Sequence, residues 1–174
     1  TLENPKCFVT FRDKKLIDWQ ILALKKAGVE DIAIVTGYRS DSFNIYLLKK
    51  FHNPNWHKTQ MLKSLTYADD WLNKYECIVT YSDIYYDYKA IELLKNYNKE
   101  LAITYDPNWF ELWNRRFSNP LDDAETFAID DNSYLIEIGN KTNLISNIKG
   151  QYMGLLKFSP IGWKEVISLR KKMS

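Results

Sequence analysis

Short apolar runs of strand length alternate with amphipathic segments through the first 105 residues of this sequence. The apolar runs are DIAIVTG (31–37), ECIVTY (76–81) and LAITY (101–105). Apolar residues recur at helical spacing in LIDWQILALKKA (16–27) and in YKAIELLKNYN (88–98), which Asp87 can cap. Chains that alternate in this way form right-handed crossovers over a parallel sheet with helices on both faces. The sequence therefore predicts a three-layer α/β fold.

Two more helices are predicted between the first two strands. One runs through FNIYLLKKF (43–51), with Ser40 or Asp41 as its cap. The other spans Leu62–Leu72. Both would serve as crossover helices between parallel strands.

The pattern changes in the second half of the chain. TFAID (126–130) and YLIEI (134–138), joined by Asp131-Asn132-Ser133, predict a β-hairpin. QYMGLLKF (151–158) predicts a strand, and Ser159 with Pro160 predicts the start of a last helix. With no linker or repeat, residues 1–174 are interpreted as a single domain whose sheet has a mixed edge.

Charge and hydropathy exclude several partner classes. The formal net charge is only +2, and the basic residues are interspersed with acidic ones, so no nucleic-acid partner is expected. No run of eighteen apolar residues occurs, so no membrane association is expected. Cys7 and Cys77 lie in or beside apolar runs, which favours buried free thiols in a reducing cytoplasm.

Polar stretches directly follow the predicted parallel strands: Thr36–Arg39, Tyr81–Asp83 and Tyr105–Asp106. In open parallel sheets, ligands bind beyond the carboxyl ends of the strands. Asp83 is therefore either a cap or turn residue, or a ligand of Mg2+, which proteins hold through one or two carboxylates together with phosphates. Lys6, after the stiff Pro5, is either a solvated surface residue or a fixed cation for a phosphate.

The segment WFELWNRRFSNPLDDAETF (109–127) concentrates tryptophans, arginines and carboxylates. In a helix Trp109, Trp113 and Arg116 share one face. Indole faces attract cations by about 0.5–2 kcal/mol, a guanidinium suits phosphate or carboxylate, and Asp123 and Glu125 can neutralise an ammonium. The alternative is a packed tryptophan pair with a surface ion pair worth under about 1 kcal/mol.

The order of these motifs resembles that of nucleotidyltransferases, which join a nucleoside triphosphate to a small phosphate. The resemblance lies in residues 4–41, NPKCFVTFRDKKLIDWQILALKKAGVEDIAIVTGYRSD, and in YSDI (81–84). The segments 109–127, IEIGNK (136–141) and GQYMGLLKFSPIGW (150–163) resemble the cytidylyltransferase branch. Members of that branch activate phosphocholine, aminoethylphosphonate or phosphorylated glutamine with CTP.

The resemblance implies a Rossmann-like nucleotidyltransferase fold with a mostly parallel mixed sheet and an added β-hairpin. It implies a cytoplasmic enzyme of the EC 2.7.7 class that transfers CMP from CTP to L-glutamine phosphate, phosphocholine or 2-aminoethylphosphonate. The products would be pyrophosphate and a CDP-linked compound used to decorate a surface or capsule polysaccharide. Small molecules are the expected partners, and a homo-oligomer is compatible with this interpretation.

The resemblance also assigns roles to residues. Lys6 would stabilise charge on the triphosphate, and Asp83 would hold Mg2+, so these two residues are the catalytic candidates. The nucleotide-binding candidates are Lys6, Gly37, Tyr38, Gln60, Ser64 and Ser82. The acceptor-binding candidates are Trp109, Trp113, Arg116, Asp123, Glu125 and Tyr152, the last of which is otherwise a packing residue of its strand.

Two features of the family pattern are not found in the sequence: an N-terminal strand with a Gly-rich loop, and a later acidic metal ligand. We expect these segments to belong to a longer polypeptide rather than to have been lost from an inactive relative. The alternatives are a sugar-1-phosphate nucleotidyltransferase and a non-catalytic nucleotide-binding relative. Among acceptors, the adjacent Arg115 and Arg116 favour one with a carboxylate, which is an amino-acid-type substrate.

Overall fold

The computed structural model describes residues 4–173, and helices and strands alternate along this part of the chain. The α-helices are α1 (Leu16–Lys26), α2 (Met61–Leu65), α3 (Asp69–Leu72), α4 (Tyr88–Asn96), α5 (Trp109–Arg116) and α6 (Pro160–Met173). The strands are β1 (Thr10–Phe11), β2 (Lys14–Lys15), β3 (Ala33–Thr36), β4 (Lys49–His52), β5 (Cys77–Thr80), β6 (Leu101–Asp106), β7 (Phe127–Ile129), β8 (Leu135–Ile138) and β9 (Gln151–Phe158). The predicted α/β class is confirmed.

The strands of the described residues form four sheets instead of the single sheet expected from the sequence. β1 and β2 pair antiparallel, and β3 pairs with β4 parallel. A three-stranded sheet has the order β5-β9-β6. β7 and β8 form an antiparallel pair, which confirms the predicted hairpin.

A cavity lies where one continuous sheet was expected. β3 and β5 do not pair with each other, and both line a cavity of about 1630 Å³. Along one flank the lining comes from residues 28–38, and along the other from residues 74–83. The strand edges that were expected to lie within one sheet are therefore separated by this cavity.

The chain divides into two compact units. Unit 1 contains the residues up to Ala102 together with those from Leu156 onward, and unit 2 is Ile103–Leu155. In unit 1, Ala68, Leu72, Phe158 and Trp163 form one buried cluster. A second cluster in unit 1 contains Cys7, Ile17 and Phe43.

Unit 2 has a small core of its own. Trp109, Ala124 and Ile148 are buried together, with Trp113 and Leu121 packed against them. The turn of its hairpin is held by Asp130, whose carboxylate accepts hydrogen bonds from the backbone N–H groups of Asn132 and Tyr134 at 2.9 and 2.8 Å. Ser133 adopts the left-handed backbone conformation that such a turn requires, with φ of 64°.

Helix boundaries follow the capping signals in the sequence. α1 ends before Gly28, whose φ is +73°. The Asp87 carboxylate accepts a hydrogen bond from the Lys89 N–H at 3.0 Å and caps α4. The Ser159 hydroxyl accepts one from the Gly162 N–H at 3.1 Å, which confirms the predicted start of α6. The helix predicted over 62–72 is present as α2 and α3 with a 3-10 turn between them.

The helix predicted over 43–51 is wrong. A 3-10 helix, Ser40–Phe43, is followed by β4, whose residues Lys49–His52 pair in parallel with Ala33–Thr36. Pairing gives the backbone groups of β3 a hydrogen-bonding partner, and this tertiary contact outweighs the local helical spacing. Among the described residues, none of the helices combines the length and the apolar character needed to cross a membrane.

We predict that Gly162→Ala destabilises unit 1. Gly162 is buried in the first turn of α6, and a Cβ there would overlap the Glu100 carbonyl oxygen, which is rigid backbone. Overpacking of this kind costs about 1–3 kcal/mol, which denaturant unfolding would detect.

Ser168→Ala is the matched control, because Ser168 is exposed on the same helix. Alanine favours helix there, so the control should unfold at the same or a slightly higher denaturant concentration. Equal midpoints for Gly162→Ala and the unmodified protein would contradict the close approach.

Candidate active site

Lys6 and Asp83 form an ion pair in unit 1. The Lys6 Nζ lies 3.2 Å from the Asp83 Oδ2, although the two residues are 77 positions apart. Lys6 begins a short 3-10 helix after Pro5, and Asp83 follows the end of β5. The fold therefore brings together the two residues to which the sequence resemblance assigns catalysis.

This ion pair is open to solvent. The Lys6 side chain is 73% exposed and the Asp83 side chain 40%. Exposed pairs of this kind contribute about 0–1 kcal/mol to stability. The pair therefore contributes little to stability, and both charged groups are accessible to a ligand.

Most of the predicted nucleotide-binding residues line the cavity of unit 1. The lining includes Lys6, Gly37, Tyr38, Ser64, Ser82 and Asp83. Gln60 is exposed directly before α2 and is not part of the lining. The remaining lining is largely apolar, with both β3 and β5 contributing.

Gly37 allows an aromatic pair to form at the end of β3. A Cβ at Gly37 would lie 2.5 Å from the Trp56 Cβ and 2.7 Å from its Cγ. The Trp56 ring stands edge-on to Tyr38, with 5.4 Å between the ring centroids. Tyr38 and Trp56 are 37% and 42% exposed, so they present an accessible aromatic surface. Trp56 was not predicted as a site residue.

Ser64 is held in place by a buried asparagine. Asn53 is 0% exposed, and its Nδ2 donates to the Ser64 Oγ at 2.9 Å and to the Thr59 Oγ1 at 2.8 Å. Its Oδ1 accepts from the Asn55 N–H at 2.9 Å. Asn53 thus joins the end of β4 to α2. The sequence signal that was missed is an asparagine directly before Pro54.

Gln20 anchors the loop that carries Ser82 and Asp83. Its Nε2 donates to the Tyr81 carbonyl at 2.8 Å and to the Ile84 carbonyl at 2.7 Å. Gln20 is buried on α1, in line with Ile17 and Leu24. A polar residue within the apolar stripe of an amphipathic helix is the signal that could have identified it.

The thiol next to Lys6 is inert. Cys7 is 3% exposed, and burial raises its pKa from 9.0 to about 11, with the nearby Asp83 charge adding to the shift. Reactive thiols have a lowered pKa and some exposure. Cys7 therefore acts as a packing residue.

In unit 2 the two predicted tryptophans occupy different environments. Trp109 is 3% exposed, and its Nε1 donates to the Ile148 carbonyl at 3.3 Å. Trp113 is half-buried and stands edge-on to Trp109, with 6.1 Å between the ring centroids. Trp109 therefore belongs to the core that supports Trp113, and Trp113 is the indole of this pair that solvent reaches.

Trp113 connects a cation and an anion. The Arg116 guanidinium carbon lies 5.6 Å from the centroid of the indole. The Trp113 Nε1 donates to the Asp123 Oδ2 at 3.1 Å. Arg115 points to a different partner, because its Nη2 lies 2.5 Å from the Glu111 Oε1 one helical turn back.

Glu125 is fixed through its backbone. The buried Gln151 donates from Nε2 to the Glu125 carbonyl at 2.8 Å, and its Oε1 accepts from the Glu125 N–H at 3.5 Å. The Glu125 side chain remains exposed, and Tyr152 is half-buried in β9. Gln151 was not predicted as a site residue, although a glutamine at the start of a largely apolar strand segment is a signal that the sequence contains.

The described residues contain no group of three or more His, Cys, Asp or Glu side chains that could hold a metal ion. Asp83 offers a single carboxylate, with the Ser82 hydroxyl next to it in sequence. Mg2+ is commonly held by one or two carboxylates with substrate phosphates and water. The donor set therefore fits Mg2+ bound jointly with a nucleotide and does not fit a structural metal.

The sequence matches no family model. It is 42% identical over 178 residues to CTP:phosphoglutamine cytidylyltransferase from Campylobacter jejuni, which covers 97% of this chain and 70% of that protein. The chain belongs to the cytidylyltransferase branch of the nucleotidyltransferases.

Two solved structures share the fold of this cytidylyltransferase. CTP:phosphocholine cytidylyltransferase from Streptococcus pneumoniae aligns with a TM-score of 0.66 at 17% identity, over 96% of this chain and 67% of that one. The inositol-1-phosphate CTP transferase from T. maritima aligns with a TM-score of 0.68 at 13% identity, over 93% of this chain and 64% of that one. At these identities the similarity shows the fold alone.

We predict that Cys7 makes the stability of this cytidylyltransferase fall as the pH rises from 9 to 11. Above pH 9 the unfolded thiol loses its proton, while the buried thiol keeps its proton up to a pKa of about 11. The unfolded state then binds fewer protons, so the free energy of unfolding decreases in this window.

Cys7→Ala is the reference variant, because it removes the thiol and keeps Tyr46, whose pKa is raised mainly by its own burial and by Asp18 and least by Cys7. Urea unfolding at pH 8, 9, 10 and 11 should show that the stability advantage of the unmodified protein over Cys7→Ala shrinks as the pH rises. A constant difference would contradict the raised pKa.

Proposed function

We propose that this chain transfers CMP from CTP to phosphorylated L-glutamine, giving a CDP-linked glutamine and pyrophosphate. The observation that carries this proposal is the 42% identity, over 97% of the chain, to a protein named CTP:phosphoglutamine cytidylyltransferase. The ion pair of Lys6 and Asp83 and the charged groups around Trp113 supply side chains of the kind that this chemistry needs, which supports the proposal.

The nucleotide is proposed to bind at the cavity of unit 1. Lys6 supplies an accessible cation for the triphosphate, and Asp83 supplies the carboxylate for Mg2+. Because the Lys6 side chain is 73% exposed, it can turn from Asp83 to a phosphate without disturbing the core. Gly37, Tyr38, Ser64 and Ser82 line the same cavity, and Gln60 lies at the start of α2.

In the proposed reaction, a phosphate oxygen of the acceptor attacks the α-phosphorus of CTP. A P–O bond forms there as the bond to the bridging oxygen breaks, and pyrophosphate leaves. The attacking oxygen is already anionic, so no general base is needed. Lys6 stabilises negative charge on the triphosphate and the leaving group. When bound at Asp83, Mg2+ would neutralise phosphate charge as well.

The groups around Trp113 favour an acceptor that carries both charges. Asp123 offers an anion for an α-ammonium, and Arg116 offers a planar cation for an α-carboxylate. Both contact the same indole, so a zwitterionic amino acid can engage them together. Phosphocholine and 2-aminoethylphosphonate have no carboxylate and leave Arg116 without that role.

Membership of the cytidylyltransferase branch supports several further proposals about this chain. The fold is proposed to be the three-layer Rossmann-like arrangement with one mostly parallel sheet and the added hairpin. Trp109, Glu125 and Tyr152 are proposed to complete the acceptor site together with Trp113. A cytoplasmic location, a homo-oligomeric state and a role in surface or capsule polysaccharide decoration also remain proposals.

The proposed function predicts which substrates the protein, expressed from its full coding sequence, uses. Pyrophosphate release should be highest with CTP and phosphorylated glutamine, compared with phosphocholine and 2-aminoethylphosphonate. Release with a hexose 1-phosphate and UTP or dTTP, but not with CTP, would identify a sugar-nucleotide enzyme. No release with any pair would refute a catalytic function.

Asp83→Asn should lower kcat by about 10²–10³-fold, as removal of a positioned charge-stabilising group typically does. The melting temperature should change little, because the ion pair with Lys6 is exposed. Asp131→Asn is the control, since Asp131 is an exposed carboxylate in the hairpin turn of unit 2. Full activity in Asp83→Asn would overturn the metal assignment.

Arg116→Gln should raise the KM for phosphorylated glutamine by about 10- to 100-fold, because charge-assisted hydrogen bonds contribute about 1.5–3 kcal/mol. Its effect with 2-aminoethylphosphonate should be small. Arg115→Gln is the matched control, because Arg115 pairs with Glu111 on the helix surface. Equal effects of the two substitutions would remove the special role of Arg116.

A further inference from the structure

Gln20 is a buried polar side chain on an otherwise apolar helix face. It is 7% exposed on α1, three residues after the buried Ile17 and four before the buried Leu24. A buried amide without hydrogen bonds costs about 1–3 kcal/mol. An apolar residue would be buried at this position without that desolvation cost, so the amide is expected to have a specific hydrogen-bonding role.

Both donors of the Gln20 amide are used on one distant loop. Nε2 donates to the Tyr81 carbonyl at 2.8 Å and to the Ile84 carbonyl at 2.7 Å, 61 and 64 residues away in sequence. An amide nitrogen has two N–H groups, so its donor capacity is fully used. The two accepting carbonyls lie on either side of Ser82 and Asp83.

The same helix also supports Lys6. Ile17 is one turn before Gln20 and packs in the buried cluster that contains Cys7, the residue after Lys6. α1 therefore contacts the backbone segments of both members of the ion pair. The backbone segments of Lys6 and Asp83, whose charged groups lie 3.2 Å apart, thus pack against one helix that supplies neither charge.

We propose that Gln20 is a positioning residue, which holds the Asp83 carboxylate beside Lys6 by clamping the carbonyls of Tyr81 and Ile84 from α1. This inference rests on the proposed function, since it assigns Gln20 to the binding of the Mg2+–CTP complex and to the transfer step. Catalysis is sensitive to errors of about 1 Å in the placement of a reacting group. Without the hydrogen bonds from Gln20, the loop between Tyr81 and Ile84 would keep the Asp83 carboxylate but would no longer hold it in one position.

The test compares Gln20→Met with Ile91→Val. Methionine has nearly the same length as glutamine and no donor, so it fills the space and releases the loop. Ile91 is fully buried on α4 and serves as a control for a modest loss of stability. Melting temperatures of both variants report on stability, and Mg2+-dependent CTP binding by calorimetry gives a readout that does not depend on turnover.

We expect Gln20→Met to weaken CTP binding in the presence of Mg2+ by about tenfold or more and to lower kcat by about 10²-fold. The KM for the acceptor should change less than twofold, and binding of CTP without Mg2+ should be unaffected. Ile91→Val should match the unmodified protein in all of these. Equal behaviour of the two variants would overturn the inference, since Gln20 would then contribute only to stability.

A double substitution identifies the residue through which Gln20 acts. In an Asp83→Asn background, Gln20→Met should cause no further loss of Mg2+-dependent CTP binding, because the carboxylate that it positions is already gone. Additive losses would overturn the proposed route through Asp83.

Folding failure and failure of the proposed function are distinguishable. If Gln20→Met does not fold, Gln20→Asn replaces it, because its amide is one methylene shorter and we expect it to lose at least one of the two hydrogen bonds. Failure of both variants to fold would assign Gln20 to stability and overturn the inference. If the unmodified protein neither binds CTP in the presence of Mg2+ nor releases pyrophosphate, the proposed function is refuted, and this inference is refuted with it.

Discussion

The candidate nucleotide site depends on the packing of helix α1, because this helix fixes two chain segments that are far apart in sequence. Ile17 packs with Cys7 and so holds the segment that begins with Lys6. Gln20 holds the loop that contains Asp83. The ion pair itself is exposed and contributes little to stability. The site geometry therefore comes from apolar packing and neutral hydrogen bonds beneath the charges.

In unit 2, as in unit 1, buried uncharged residues support the segments that carry the charged groups. The buried Trp109 and Ala124 support Trp113 from below, and the charged groups Arg116 and Asp123 are arranged on the accessible indole. The buried Gln151 fixes the backbone at Glu125. In both units, buried residues with no charge hold the backbone segments that carry the charged side chains.

The sequence predicted the elements whose signals are local. The caps at Asp87 and Ser159 and the hairpin turn are set by short-range hydrogen bonds, and the structure has them where they were expected. The helix over 43–51 was wrong because β4 pairs with β3, and that contact depends on the fold. The sequence pattern also could not predict whether the strands form one continuous sheet, because apolar runs identify strands but do not show which strands pair with each other.

The candidate site was predictable to the extent that its residues carry charge or a motif. Lys6 and Asp83 were identified by the resemblance, and the structure places them in contact. Gln20 and Trp56 were missed, since the first has partners that are distant in sequence and the second closely approaches a glycine. Asn53 was missed because its hydrogen bond to Ser64 depends on how β4 and α2 pack. What they share is a polar or aromatic side chain at a position where the secondary-structure pattern does not require one. Such a residue can be assigned to the site only when its contacts in the folded structure are known.

The cavity of unit 1 has a consequence for how this chain behaves in solution. Among the strands of residues 4–173, β3 and β5 each have one edge without a neighbouring strand, and both line the same apolar space. Backbone N–H and C=O groups along an open edge act as a template for any extended segment that reaches them. An extended segment, whether from elsewhere in a polypeptide or from another molecule at high concentration, would meet free backbone groups and an apolar surface together at this cavity.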